Sequence, residues 1–288
     1  MTVLGAVSMP QIPPERLGEV CRAAEDSGLE QLWLWEDCFW GGGIAAAATV
    51  LARTERVRVG IGVMPVPLRN VASTAMEVAT LSRLYPDRLI PGVGHGVQDW
   101  MAQVGAGVES PMTLLREQLL ALRSLLNGEK VSTAGRYVQL DGVALDWPPT
   151  TPPVLAAAAT GPRTVRLSGE LADATILTAR TSPDGVRTAR ALIDEGRAKA
   201  GRTDAHQVIV YLRTATGPDA AARLEVAQER EGTEVGAGVA GGAETIADAV
   251  RRYAEAGADT VVLEPISDHP DPVEFVRFAG EEVRPLLG

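Results

Sequence analysis

The chain has 288 residues, 45% of them hydrophobic, and a net charge of −10 from 27 basic and 37 acidic side chains. A chain of this size buries roughly 75% of its unfolded surface. Its acidity, the lack of a basic run and an aromatic content of 4% exclude nucleic acid as an expected partner. The longest apolar stretch, Ile44 to Ala52, is too short to cross a bilayer, so no membrane association is expected. No charged region precedes an apolar core at the N-terminus, as a signal peptide would require. Cys21 and Cys38 form neither a CxxC nor a metal-ligand spacing, and two free thiols suit a reducing cytoplasm.

In chain order, Val3 to Val7 reads as a short apolar strand, and Pro13-Pro14 opens a helix that stops at Gly28. Gln31 to Trp35 is the second strand, running into Glu36-Asp37-Cys38-Phe39-Trp40 and three glycines; an alanine-rich helix covers Ile44 to Arg53. Val57 to Val63 alternates and is β-branched, a third strand expected to stop at Met64-Pro65-Val66-Pro67, because proline cannot donate to a ladder. A helix from Val71 to Leu84 leads to a fourth strand, Arg88 to Val93, which empties into Gly94-His95-Gly96. Residues 97–110 read as loop, Met112 to Leu126 as a strong helix, and the remainder to residue 150 as a long connection. The whole of 97–150 is expected to form an insertion that walls the ligand edge.

The second half resumes the alternation. Val154 to Ala159, Asp173 to Thr178, Gln207 to Leu212 and Asp259 to Leu263 read as strands five to eight, separated by helices that begin at Thr160-Gly161-Pro162-Arg163, Ser182, Asp219 and Ala243. A last helix is expected from Pro272 to about Leu286. Eight strands alternating with helices predict a (β/α)8 TIM barrel spanning 1–288 as one domain; an open doubly wound sheet rarely reaches eight parallel strands in this order. All strand-to-helix loops then share the C-terminal edge, where ligands bind in such folds. The stretch Gly236 to Gly242 follows no strand, so it reads as a mobile connection rather than a dinucleotide fingerprint.

Several of these stretches together resemble one family. They are Trp33 to Asp37, Gly62 to Arg69, Pro86-Asp87-Arg88 through Gly92 to Gly96, Ala159 to Arg163, and Gly257-Ala258-Asp259-Thr260. In that order they resemble the luciferase-like monooxygenase-fold oxidoreductases, in the branch that uses the deazaflavin coenzyme F420. The resemblance implies hydride transfer to or from a small organic substrate, and a homodimer. Two alternatives stay open: a monooxygenase using reduced FMN and oxygen, and a catalytically silent cofactor-binding barrel.

The resemblance also suggests a site. It implies a non-proline cis peptide behind the coenzyme ring at Gly62-Val63 or one bond later, with Met64 beside it. Asp37 would contact the ring or handle a proton. In several deazaflavin relatives a proton-exchanging histidine follows this aspartate, where this chain has Cys38. Cys38 is a poor neutral-pH acid unless its pKa is lowered. His95, between Gly94 and Gly96, has the ordinary pKa best suited to donate a proton and is expected to be the donor or a substrate anchor. The free amides at the start of the helix after strand five, with Arg163 adjacent, make a ready anion site. There the resemblance places the coenzyme phosphate, near Ala158, Thr160, Gly161, Pro162 and Thr178. His206 and His269 are expected to be structural or exposed, and three scattered histidines make no metal site.

Overall fold

The computed structural model describes residues 2–231, 238–267 and 271–288. Short β-branched segments alternate with amphipathic helices from the first residues onward. The elements are β1 (Val3–Ser8), α1 (Leu17–Asp26), β2 (Gln31–Leu34), α2 (Gly43–Arg53), β3 (Arg58–Pro65), α3 (Val71–Leu84) and β4 (Leu89–Gly94). There follow α4 (Gln98–Gln103), α5 (Pro111–Leu126), β5 (Val131–Ala134), β6 (Gln139–Val143), β7 (Ala156–Ala158), α6 (Pro162–Leu171), β8 (Ala174–Leu177) and α7 (Pro183–Ala200). The chain ends with β9 (Gln207–Ala215), α8 (Ala220–Glu231), β10 (Val239–Ala240), α9 (Ala243–Glu255), β11 (Thr260–Pro265) and α10 (Pro272–Arg277).

Eight of these strands close a parallel barrel in the order β1-β2-β3-β4-β7-β8-β9-β11, with β11 returning to β1. This is the expected (β/α)8 barrel. Alternate residues face opposite sides of each strand. Leu4, Leu32, Val59, Ile61, Val210 and Leu263 face the helices and build the outer core, while Val7, Trp33, Ile90, Ile176, Ile209, Tyr211 and Val262 fill the interior. Trp33 is the largest interior side chain, and glycine makes room for it. A Cβ on Gly60 would lie 2.4 Å from its ring carbons, so any other residue there would displace the indole.

The connections differ from expectation in four places. β3 runs through Met64 to Pro65, because a register shift between Ile61 and Met64 lets Pro65 sit at the strand's last position, where a missing donor matters least. Residues 98–103, expected as loop, form α4, a short helix anchored by fully buried Met101 and followed by Gly105 at φ +70°. α5, expected within the wall insertion, belongs to the helix layer: it packs between α3 and α6, and Leu115, Leu119 and Leu122 join the outer core. The extra pieces between β4 and β7 are therefore α4 and the antiparallel β5–β6 hairpin. The last helix changes character: α10 passes into a π-helical stretch, Phe278–Val283, and a 3-10 turn, Arg284–Leu287. Gly236, Ala237 and His269 lie outside the described residues; just beyond the first two, β10 pairs with the end of β9.

Candidate active site

The loop after β2 is pinned before it reaches the mouth. Glu36 takes a two-pronged pair from Arg69 (Nε–Oε1 2.8 Å, Nη2–Oε2 2.5 Å) and accepts the Gly43 amide at 2.7 Å, capping α2. Arg69 in turn holds Glu77 at 2.7 Å, so the loops after β2 and β3 are locked together. The next residue behaves differently. The side chain of half-buried Asp37 has no hydrogen-bond or ion-pair partner among the described residues, and burial raises its carboxyl pKa. The Cys38 thiol is also pushed up, by burial first and then by Asp37 and Glu36, so it stays protonated and weakly acidic. The Cys38-Phe39 peptide is cis, and Phe39 and Trp40 stand exposed at the rim. The Trp40 ring meets Trp100 of α4 edge to face at 6.4 Å.

The floor of the mouth is made of small residues. The Gly62-Val63 peptide is cis, at the first of the two positions expected. A Cβ on Gly94 would lie 2.9 Å from Val63 Cγ2 and 3.4 Å from the Ala158 Cβ, so β3, β4 and β7 end in mutual contact there. Tyr211 rises from the interior beneath them, donates its hydroxyl to the Gly62 carbonyl at 3.3 Å, and packs on Trp35 at 5.6 Å. Burial raises the Tyr211 pKa, with Glu264 and Asp37 adding to the shift, so it remains a phenol. Met64, expected at the ring, is fully buried in the outer core; only its backbone borders the mouth.

On the β4–β7 side, His95 turns toward the helix layer. Its Nε2 lies 3.4 Å from Thr164 Oγ1 in α6, and that hydroxyl contacts Met112 Sδ of α5 at 3.3 Å. Burial lowers the His95 pKa, against a smaller opposite effect of the Pro111 backbone, so the ring is neutral near pH 7. Less of this ring carries a proton near pH 7 than of an ordinary histidine. α6 begins with Gly161 as N-cap and Pro162 at its first turn, and no side chain caps it. Thr160 and Arg163 beside it are exposed, and Thr178 at the end of β8 is half-buried. The structure thus brings Gly62, Val63, Gly94, Ala158 and Asp37 to one mouth and sets His95, Thr160, Gly161, Pro162 and Arg163 along its β4–β7 flank.

The sequence profile described as luciferase-like monooxygenase matches residues 1–234, most of the chain. The chain belongs to the luciferase-like monooxygenase family. This luciferase-like chain is 29% identical over 226 residues to the 5,10-methylenetetrahydromethanopterin reductase of Methanolobus tindarius, covering 78% of this chain and 68% of that protein. It is 30% identical over 210 residues to the F420-dependent glucose-6-phosphate dehydrogenase of Nakamurella multipartita, covering 68% of this chain and 61% of that protein. The chain therefore spans about three fifths to two thirds of the length of these curated relatives. In fold it is similar to an F420-dependent secondary alcohol dehydrogenase solved with an F420-acetone adduct, at a TM-score of 0.88 and 22% identity, covering 100% of this chain and 99% of that one.

Tyr211, Arg213 and Glu264 of this luciferase-like mouth escaped the sequence reading. Glu264 pairs with Arg213 across the β9–β11 register, at 2.7 Å from Nη2 and 3.2 Å from Nε. Both share the inward parity of Tyr211 and Val262 one step below, so a buried ion pair stands at the mouth above the Tyr211 phenol. The available signal was parity: Ile209, Tyr211 and Arg213 fall on one face of a strand, as do Val262 and Glu264, and a charge at the C-terminal end of an inward-facing row points to the mouth.

Proposed function

We propose that this chain is an oxidoreductase that uses coenzyme F420 for hydride transfer to or from a small organic substrate at the C-terminal mouth of the barrel. The observation that carries the reading is the floor of small residues, Gly62, Val63, Gly94 and Ala158, beside an unpartnered carboxyl at Asp37. A flat ring needs backbone-close approach, which glycine at strand ends permits, and the uncapped start of α6 with exposed Arg163 offers its phosphate an anion site. The residues present therefore fit a deazaflavin. The F420-dependent dehydrogenase among the relatives supports the same coenzyme.

The bound coenzyme would supply the hydride chemistry, while the chain binds, orients and handles the proton. Backbone at Gly62, Val63 and Met64, and at Gly94 and Gly96, would border the ring. The uncapped start of α6 at Thr160, Gly161 and Pro162, with the exposed Arg163 guanidinium and with Ala158 and Thr178 nearby, would hold the phosphate. Asp37, raised by burial, could hold the proton that a substrate oxygen gains or loses. His95 would serve as a neutral hydrogen-bonding group, and Cys38 as a protonated thiol at the rim. Tyr211 and the Arg213–Glu264 pair would fix the mouth from below.

The chain would pair as a homodimer, the commonest symmetric form of a one-barrel protein, and the free thiols Cys21 and Cys38 suit the reducing cytoplasm. No helix among the described residues is long and apolar enough to cross a membrane. The test is a fluorescence titration of the purified protein with F420 and with FMN. Tighter binding of F420 is expected; tighter binding of FMN would overturn the coenzyme assignment.

A further inference from the structure

A cavity of about 640 Å³ opens between the loop after β1 and the loop after β2, roofed by the start of α2. That volume falls within the range of small-molecule sites, roughly 300–1,000 Å³. Ser8 and Trp35, at the strand ends, form its inner wall, and Trp35 also packs on Tyr211, so the cavity and the barrel mouth share a side chain. Ile12, Leu34 and Ala46 line its depth, while exposed Phe39 and Trp40 stand at its rim.

Its described lining carries no charged side chain. None of the described lining residues is lysine, arginine or histidine; Ser8, Gln11 and Thr49 supply the polar side chains. Arg213 is inward-facing at the mouth but already paired with Glu264, and Asp37 adds a carboxyl. A phosphorylated or carboxylated substrate would find no cation among the described lining residues, and burying an unpaired charge is costly.

We propose that the organic substrate of this site is an uncharged, largely apolar molecule held in the cavity between the loops after β1 and β2. This rests on the coenzyme reading above and adds the substrate class. The aromatic and aliphatic walls bind by excluding water, and the few hydroxyl and amide groups can orient one polar substituent.

Two of the lining residues are tryptophans, so occupancy can be read as quenching of intrinsic fluorescence. Cyclohexanone is the apolar probe and glucose 6-phosphate the charged one. We expect saturable quenching by cyclohexanone with at least tenfold higher affinity than by glucose 6-phosphate. Ala46→Phe, which fills the cavity, should weaken cyclohexanone at least fivefold. Equal or tighter binding of the phosphate, no quenching by either probe, or cyclohexanone binding untouched by Ala46→Phe overturns the proposal. Should Ala46→Phe fail to fold, Gln11→Arg carries the test, because Gln11 is exposed and its loop lines the cavity. A gain of tenfold or more for glucose 6-phosphate supports the placement, and no gain overturns it. An F420 titration run in parallel keeps the two readings apart: loss of coenzyme binding in the unaltered protein sinks the coenzyme reading, while the quenching comparison still decides the cavity.

Discussion

The two ends of the barrel differ in the polar groups they leave open. At the N-terminal end, acidic side chains are spent on strand starts. Glu30 accepts the Leu4 amide, Glu25 the amides of residues 55 to 57, Asp173 that of Leu155, and Asp259 that of Val208. Arginines complete the belt: Arg88 donates to the Thr54 and Val57 carbonyls, Arg123 and Arg202 to Asp173, and Arg190 to Asp259. At the C-terminal end, the Asp37 carboxyl has no partner among the described residues, α6 has no side-chain cap, and Phe39 and Trp40 face solvent. Satisfied groups hold a fold together; groups left open cost stability and persist where something else is to bind. In a barrel of this type, stability belongs to the bottom and chemistry to the top.

Substitutions can break or sharpen this contrast. The largest effect is expected at the bottom. Asp173→Ala strands the Leu155 amide and removes the acceptor of two guanidinium groups, at a cost of about 3 kcal/mol of unfolding free energy. Urea unfolding measures the loss, and coenzyme affinity should be unchanged; a fall in affinity without a fall in stability would reverse the contrast.

Arg163→Ala is the converse. The side chain is exposed, so stability should hold, while coenzyme binding should weaken by about 1.5–3 kcal/mol, the range of a charge-assisted hydrogen bond. An unaltered dissociation constant would move the phosphate away from α6.

The smallest effect is a pH dependence. His206, before β9, is buried and hydrogen-bonded to Thr175 at 2.8 Å. Its pKa is lowered to about 4, by burial first and then by Arg197, Arg202 and Arg190, with Asp173 opposing. The unfolded chain takes up this proton near pH 6.5, whereas the folded chain refuses it until about pH 4. Stability is therefore complete above pH 6.5 and declines as the pH falls through that window, by about 1 kcal/mol between pH 7 and pH 5.5. His206→Gln should flatten the slope in urea midpoints measured at the two pH values; an undiminished slope would assign it to other groups.

The barrel was legible because its signals are local. Strands such as Val57 to Val63 carry β-branched alternation, and Pro13, Gly28, Pro86 and Gly201 punctuate the helices. The mouth was legible in part for the same reason: residues that directly follow a strand, such as Asp37 and Gly94 to Gly96, must fall on its C-terminal edge. What escaped is non-local. The grip of Arg69 on Glu36 joins residues 33 apart, and Arg213 meets Glu264 across 51. The environment that lowers the His95 pKa and raises that of Asp37 arises from burial between elements distant in sequence. α4 is too short for a periodic signal, and only the burial of Met101 explains it.

Amide hydrogen exchange with and without F420 tests the central claim most directly, since a bound coenzyme protects the backbone it covers. The account predicts added protection at residues 60–65, 94–98 and 160–165 at the mouth, and none at 25–30, 54–58, 171–174 or 257–260 at the bottom. Protection confined to the bottom, or spread evenly over both ends, would contradict it.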